Sequence, residues 1–340
     1  MKLNFKLTSV ILLLLFAFLN CKKKEEAQEK KEEIKTPDTI KIQNQSLYPE
    51  GVSYDSKGKR YFISSLKQGI VVEVKDDGTN TKFIDDATLI STISVKVDEP
   101  RDRILVCNSD PGVSVKTSPK TQKKIAGVGV YGLSDGKKIA YHDLAKLNAD
   151  DAAQFCNDMV IDNKGNVYVT NSFAPVIYKI PTEGEPSIFL KDDRFLGEGF
   201  NLNGIVYHPN GYLIVAKYNE GILFKIPVDD PKNFSEVILD TPLVGADGLL
   251  WDDSNNLIVI ANMDTNKVFL LAGKDEWDSA SIMSELTTQD AFPTTGTRRG
   301  NDSYYIESKL NHLFGGNDKD GEFEIKKIQF AKKAQPASEE

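Results

Sequence analysis

Asn203-Gly204-Ile205-Val206-Tyr207-His208-Pro209-Asn210-Gly211-Tyr212-Leu213-Ile214-Val215-Ala216 holds the pattern that decides the fold. Two runs rich in β-branched and aromatic residues flank Pro209-Asn210-Gly211, whose Asn and Gly tolerate the positive φ of a tight turn; this is a hairpin. The pattern recurs. Strands open at Pro49-Glu50-Gly51-Val52, Ile93-Ser94-Val95, Asn157-Asp158-Met159-Val160, Asp247-Gly248-Leu249-Leu250 and Pro293-Thr294-Thr295-Gly296. The last four of the six starts lie 46, 44 and 46 residues apart, and the longer second-to-third gap carries an insertion over 109–150. Turns such as Ser56-Lys57-Gly58-Lys59 and Asn163-Lys164-Gly165-Asn166 lead to second strands. Third strands follow at Val71 to Val74, Val176 to Ile180, Ile222 to Ile226 and Val268 to Leu271, with weaker fourth strands at Thr81 to Ile84, Ser187 to Leu190 and Glu236 to Leu239.

Four strands in about 45 residues is the period of a propeller blade. The expected fold is therefore all-β, a six-bladed β-propeller with four-stranded antiparallel blades over 39–331. Ile40 to Gln43 is expected to join the last blade and close the ring, so that no sheet edge stays open. No amphipathic helix of 10–15 residues separates the strands, which disfavours a parallel α/β fold.

The composition agrees. Of 340 residues, 40% are hydrophobic and 27% charged, ordinary values for a globular chain. Net charge is −8, with no basic, aromatic-interleaved face, so nucleic acid is not an expected partner. The N-terminus reads separately. Lys2 and Lys6 precede an apolar run, Val10 to Leu19, too short to span a bilayer and of signal-peptide form. It ends at Asn20-Cys21, which resembles a bacterial lipoprotein cleavage site with Asn20 where a small residue is usual. The expected organisation is a lipoprotein signal peptide over 1–20, a polar tether over 21–38, the propeller, and a disordered tail over 332–340. The mature chain would be exported and held in the bacterial cell envelope, on the membrane, by lipidated Cys21. In the folded part, Cys107 and Cys156 either pair or remain two buried thiols.

The first strand of a blade lines a propeller's central channel, so the residues that open the six segments should converge near one mouth. Glu50, Asn157, Asn203 and Asp247 carry side-chain oxygens at equivalent positions. Two carboxylates buried together need compensation, and two anionic plus two amide oxygen donors suit a hard divalent cation. Ca²⁺ is expected first, with Mg²⁺, Mn²⁺ and Zn²⁺ as alternatives.

Pro49-Glu50-Gly51-Val52, Asn157-Asp158-Met159-Val160-Ile161-Asp162, Asn203-Gly204-Ile205 and Asp247-Gly248-Leu249 resemble the signatures of the regucalcin/gluconolactonase (senescence marker protein) family of six-bladed propellers, over 45–330. The resemblance implies that Glu50, Asn203 and Asp247 bind the metal and that Asn157 joins them or contacts substrate. It implies hydrolysis of a lactone or ester, with Asp247 the expected catalytic base. Asp158 either orients Asn157 or caps a turn. Phe155 stands where sugar lactonases of the family often place Arg, which points to a more apolar substrate. The alternative is a non-catalytic, metal-containing propeller that binds a small molecule or a partner protein.

Other signals carry less. His208 reads as a turn residue away from the site, His142 as part of the insertion, and His312 as a member of the last blade. Gly127-Val128-Gly129-Val130-Tyr131-Gly132 lacks the βαβ setting of a nucleotide site and reads as a strand. Arg298-Arg299 reads as solvated. Ser109 to Lys124 is either a plain loop or a lid, and Ser172-Phe173-Ala174-Pro175 either lines a pocket or makes a turn.

Overall fold

The computed structural model describes residues 35–148, 153–288 and 292–331. The chain divides into two units, the second beginning at Pro37. The expected signal peptide, Cys21, most of the expected tether and the expected tail at 332–340 lie outside the described residues. The second unit is a six-bladed β-propeller, built from six small, mainly antiparallel sheets. Blade one comprises Val52–Asp55, Arg60–Ser64, Val71–Val74 and Asn80–Ile84, in that order from the hub outward. Blades two to five repeat the order, with inner strands Ser91–Asp98, Gln154–Ile161, Leu202–His208 and Ala246–Trp251.

The sixth blade closes the ring as the sequence implies. Pro293–Arg299, Asp302–Glu307 and Glu322–Lys327 come from the end of the propeller, and Thr39–Gln43 supplies the outer strand, antiparallel to Glu322–Lys327 with Ile40 opposite Ile325. Ile40 and Ile42 are fully buried, so this joint is apolar as well as hydrogen-bonded. Each inner strand packs against the inner strands of both neighbouring blades, and the first meets the last. Strands alternate side chains between the two faces of their sheet, and both faces are covered by adjacent blades. Hence the second strands read as continuous apolar runs: Leu257–Ala261 is buried throughout.

Three sequence expectations are corrected. Arg299 is not solvated: its guanidinium pairs with Asp76 and lies 5.0 Å over the Tyr54 ring, tying blade six to blade one. Arg298 is part-buried against Asp253. The fourth strand of blade four is split, with Ser235–Glu236 on its own blade and Ile238–Leu239 running parallel to Ser279–Thr287 of blade five. His142, expected within the insertion over 109–150, lies in the outer strand of blade two, Lys138–Asp143, so part of that insertion is the blade itself. Gly127–Gly132 is a strand. Cys107 and Cys156 are buried, unbridged thiols in contact, and burial followed by the neighbouring thiol pushes Cys107 well up.

Candidate functional site

The inner strands share a local irregularity that builds the site. Their ladders to the second strands slip between Thr92 and Val95, Cys156 and Met159, Leu202 and Ile205, Ala246 and Leu249, and Pro293 and Gly296. Each slip is a β-bulge, which adds residues to one strand and re-aims the side chains there. Asn157-Asp158, Asn203-Gly204 and Asp247-Gly248 are the residues inside three of these bulges. The glycines are sterically required: a Cβ on Gly204 would lie 2.1 Å from the Asp247 carbonyl oxygen, and one on Gly248 2.6 Å from the Thr295 Cα. In blade one the ladder begins only at Val52. Glu50 is fixed instead by its carbonyl, which accepts the Thr294 and Thr295 hydroxyls at 2.7 and 2.8 Å, while Ser64 Oγ accepts its N–H at 3.2 Å.

Glu50, Asn157, Asn203 and Asp247 thereby line one pocket, of about 510 Å³ of empty space. All four are buried, at 4–6% exposure. Asp247 Oδ2 accepts from the Asn262 amide at 2.5 Å, and Asn262 Oδ1 in turn accepts the Tyr218 hydroxyl at 2.5 Å. Asn157 Nδ2 donates to Ser172 Oγ at 2.7 Å, and Ser172 Oγ donates onward to the Leu202 carbonyl. These bonds orient both amides. They leave Glu50 Oε2, Asn157 Oδ1 and Asp247 Oδ1 buried with no hydrogen-bond donor. Three acceptor oxygens left bare at one site are a costly arrangement for an apolar-walled cavity.

Burial, then the charges of Asp247 and Asp158, push the Glu50 carboxyl well above its usual range. Burial likewise raises Asp247, against the bonds from Asn262 and Asn203. Asp158 neither contacts Asn157 through its carboxylate nor caps a turn. It accepts Ser94 Oγ at 2.6 Å and pairs with Lys96 Nζ at 3.0 Å, and it is not among the pocket's lining residues. The hub thus carries Glu50, Asp158 and Asp247 against Lys96, a net charge of −2 when all are ionised.

The donor set fits a divalent cation: the bare atoms are hard oxygens, two from carboxylates, and the charge deficit is two. Among the described residues, no group of three or more His, Cys, Asp or Glu could by itself hold a metal ion. Any such site is therefore half amide, as the repeat pattern implies.

The remaining wall is apolar. Phe155 and Phe200 line it, 5.3 Å apart between ring centroids, and Phe173 packs on Phe155 at 5.1 Å without lining the pocket. Leu66 and Ile93 come from blades one and two. No residue of the 110–123 loop lines the pocket; Asp110 folds that loop on itself by accepting from Thr117 and Thr121, and Ser114 pins it to the Ile90 carbonyl. The histidines are elsewhere: His208 stacks on Tyr212 and bonds Asn255, as expected of a turn-proximal residue, and His312 pairs with Asp320.

Tyr218 and Asn262 escape sequence reading, while Ser172, in a segment expected either to line a pocket or to make a turn, holds Asn157. A signal exists, since each directly follows the second strand of its blade, at 171, 217 and 261, on the strand beside the bulge.

No family model and no curated protein sequence matches the chain. Solved structures do. The major Malassezia sympodialis allergen Mala s 1 superposes with a TM-score of 0.68 at 16% identity, over 86% of this chain and 96% of that one. A gluconolactonase from Xanthomonas campestris gives 0.56 at 12% identity, over 85% and 89%. Virginiamycin B lyase from Staphylococcus aureus gives 0.56 at 15%, over 79% and 80%. At these identities the likeness establishes a shared propeller fold, one that includes gluconolactonases.

Proposed function

We propose that this propeller is a divalent-metal-dependent hydrolase of the lactonase type, acting on a lactone or ester in the cell envelope. The observation that carries the reading is the set of bare oxygens on Glu50, Asn157 and Asp247 beside Asn203 in one buried pocket. Those four side chains would hold the ion, Ca²⁺ by preference. When bound, it would supply Lewis-acid polarisation of the ester carbonyl.

The chain's own groups do the rest. Asn262 holds one oxygen of Asp247 and so aims Oδ1 into the pocket. Asp247 Oδ1 takes a proton from water as the water oxygen bonds to the carbonyl carbon, and returns it to the alkoxide oxygen when the ester C–O bond breaks. The product is the ring-opened hydroxy acid, or an acid and an alcohol. The apolar wall excludes bulk water and strengthens each electrostatic contact.

One observation favours a second reading, a non-catalytic metal-containing propeller that binds a small molecule. No histidine lines the pocket, so among the described residues the bases there are the carboxylates that would hold the ion. Chelation followed by cation add-back, assayed on a panel of lactones and aryl esters, separates the two. Turnover that disappears with EDTA, returns with Ca²⁺ and is lost in Asp247→Asn supports the hydrolase. Bound metal without turnover on any panel member overturns it in favour of the binding reading.

Export and attachment to the membrane through Cys21 rest on residues 1–21 alone. Metabolic labelling with a palmitate analogue in the wild type and in Cys21→Ala tests them.

A further inference from the structure

The pocket's wall specifies the kind of molecule it accepts. Among the described residues, its lining apart from the four oxygen donors is apolar and aromatic. No described Lys, Arg, His, Ser or Thr side chain lines it. Phe155 and Phe200 line it with centroids 5.3 Å apart, Phe173 packs on both without lining the pocket, and Phe200 reaches Tyr218 at 6.3 Å. The Tyr218 hydroxyl is already spent as a donor to Asn262.

Three more apolar residues complete the lining: Phe292, Leu310 and Phe314. Phe292 sits at φ +50°, a left-handed conformation uncommon for a bulky residue, and both the N–H and the hydroxyl of Ser308 bond its carbonyl. Leu310 and Phe314 come from the five-residue helix Leu310–Phe314. Phe314 is 47% exposed although it lines the pocket, which puts an aromatic ring at the entrance.

A polyhydroxylated ring placed here would bury its hydroxyls against phenyl faces. Each hydroxyl left without a partner costs about 1–3 kcal/mol. A ring or acyl chain of carbon instead gains about 25 cal/mol for each Å² taken out of water, with edge-to-face contacts to Phe155 and Phe200 in addition.

We propose that the pocket selects a neutral lactone or ester with an aromatic or aliphatic body, its carbonyl end toward the oxygen cluster and its apolar body against Phe155, Phe200 and Phe292, and that it rejects sugar lactones. The selection rests on the hydrolase reading only for the carbonyl end; the apolar contacts hold whether or not turnover follows.

The test uses the full-length protein with Ca²⁺, and dihydrocoumarin and glucono-δ-lactone as probes. Binding is read by ligand-observed NMR and melting shift, and hydrolysis by acid release. Dihydrocoumarin is expected to bind, Phe200→Ala to weaken it about tenfold or more, and Phe200→Leu to restore most of the loss. Phe200 is only part-buried, so its truncation spares the core; Phe155→Leu is the second variant and should also weaken binding. Dihydrocoumarin bound but not hydrolysed with any divalent ion upholds the selectivity and overturns the hydrolase. Glucono-δ-lactone bound or hydrolysed as well as dihydrocoumarin overturns the selectivity and leaves the hydrolase standing. Failure of dihydrocoumarin to bind, or binding unchanged in both Phe variants, also overturns it.

Discussion

Replacing Glu50 by Gln and Asp247 by Asn tests the central claim, that the hub needs a cation. Both substitutions keep shape and remove one negative charge from a site where the carboxylate oxygens Glu50 Oε2 and Asp247 Oδ1 have no donor. In the wild type, an ion present at about 100 to 1,000 times its dissociation constant stabilises the fold by about 2.7 to 4.1 kcal/mol. Unfolding entropy near 2.1 cal/mol/K per residue, over the roughly 290 residues of the propeller, is about 0.6 kcal/mol/K. The melting temperature should therefore rise by about 4–7 °C between EDTA and millimolar Ca²⁺. In EDTA the variants should melt higher than wild type, because a buried, uncompensated charge is gone; about 1 kcal/mol corresponds to about 2 °C. Ca²⁺ should then add little or nothing to either variant. Differential scanning calorimetry at pH 7 with matched ionic strength reads both effects. An equal Ca²⁺ shift in wild type and both variants, or no shift with any of Ca²⁺, Mg²⁺, Mn²⁺ and Zn²⁺, would refute the reasoning.

Gly204→Ala forces a Cβ to within 2.1 Å of the Asp247 carbonyl oxygen, so a loss of about 1–3 kcal/mol in urea unfolding is expected, and a smaller loss would show that the inner strands move apart freely. Lys96→Met strips Asp158 of its counter-charge; it should destabilise the metal-free protein by about 3 kcal/mol, and Asp158→Asn in the same chain should recover part of that. The third concerns acid. Burial pushes the Asp86 carboxyl up, but bonds from Thr88, Lys138 and Tyr131 outweigh it and hold the group far below its usual range. Its stabilisation is present above the unfolded carboxylate pKa near 3.9 and is lost as pH falls below that. Wild type should lose more stability than Asp86→Asn between pH 5 and pH 3 in denaturant titrations, and parallel pH profiles would count against it.

Much of the candidate site was legible because it repeats. Glu50, Asn157, Asn203 and Asp247 stand at one position of a recurring unit, and a propeller turns equal position into spatial convergence. Phe155 was legible for the same reason, two residues before Asn157. Asn262 was not, since a polar residue after a strand reads as a turn former until the bulge beside it is seen; the segment at Ser172 was marked, but its bond to Asn157 was not. Arg299 and Asp76 lie 223 residues apart, with nothing local to distinguish an ion pair from two solvated charges. Asp158 followed the same rule: its adjacency to Asn157 suggested a shared task, yet its oxygens meet Ser94 and Lys96 of the preceding blade.

Local chemistry alone determined the number of blades, their hairpins and the closing strand, because turn residues and two-residue alternation act within a few positions along the chain. It also determined which residues crowd the hub, since every blade begins there. Only the tertiary structure decided which way those side chains point, because one bulge reverses the alternation that sequence assumes. It alone assembled the phenyl wall, where Phe155 from an inner strand meets Phe200 and Phe292 from loops and Phe314 from a helix, segments with no common period.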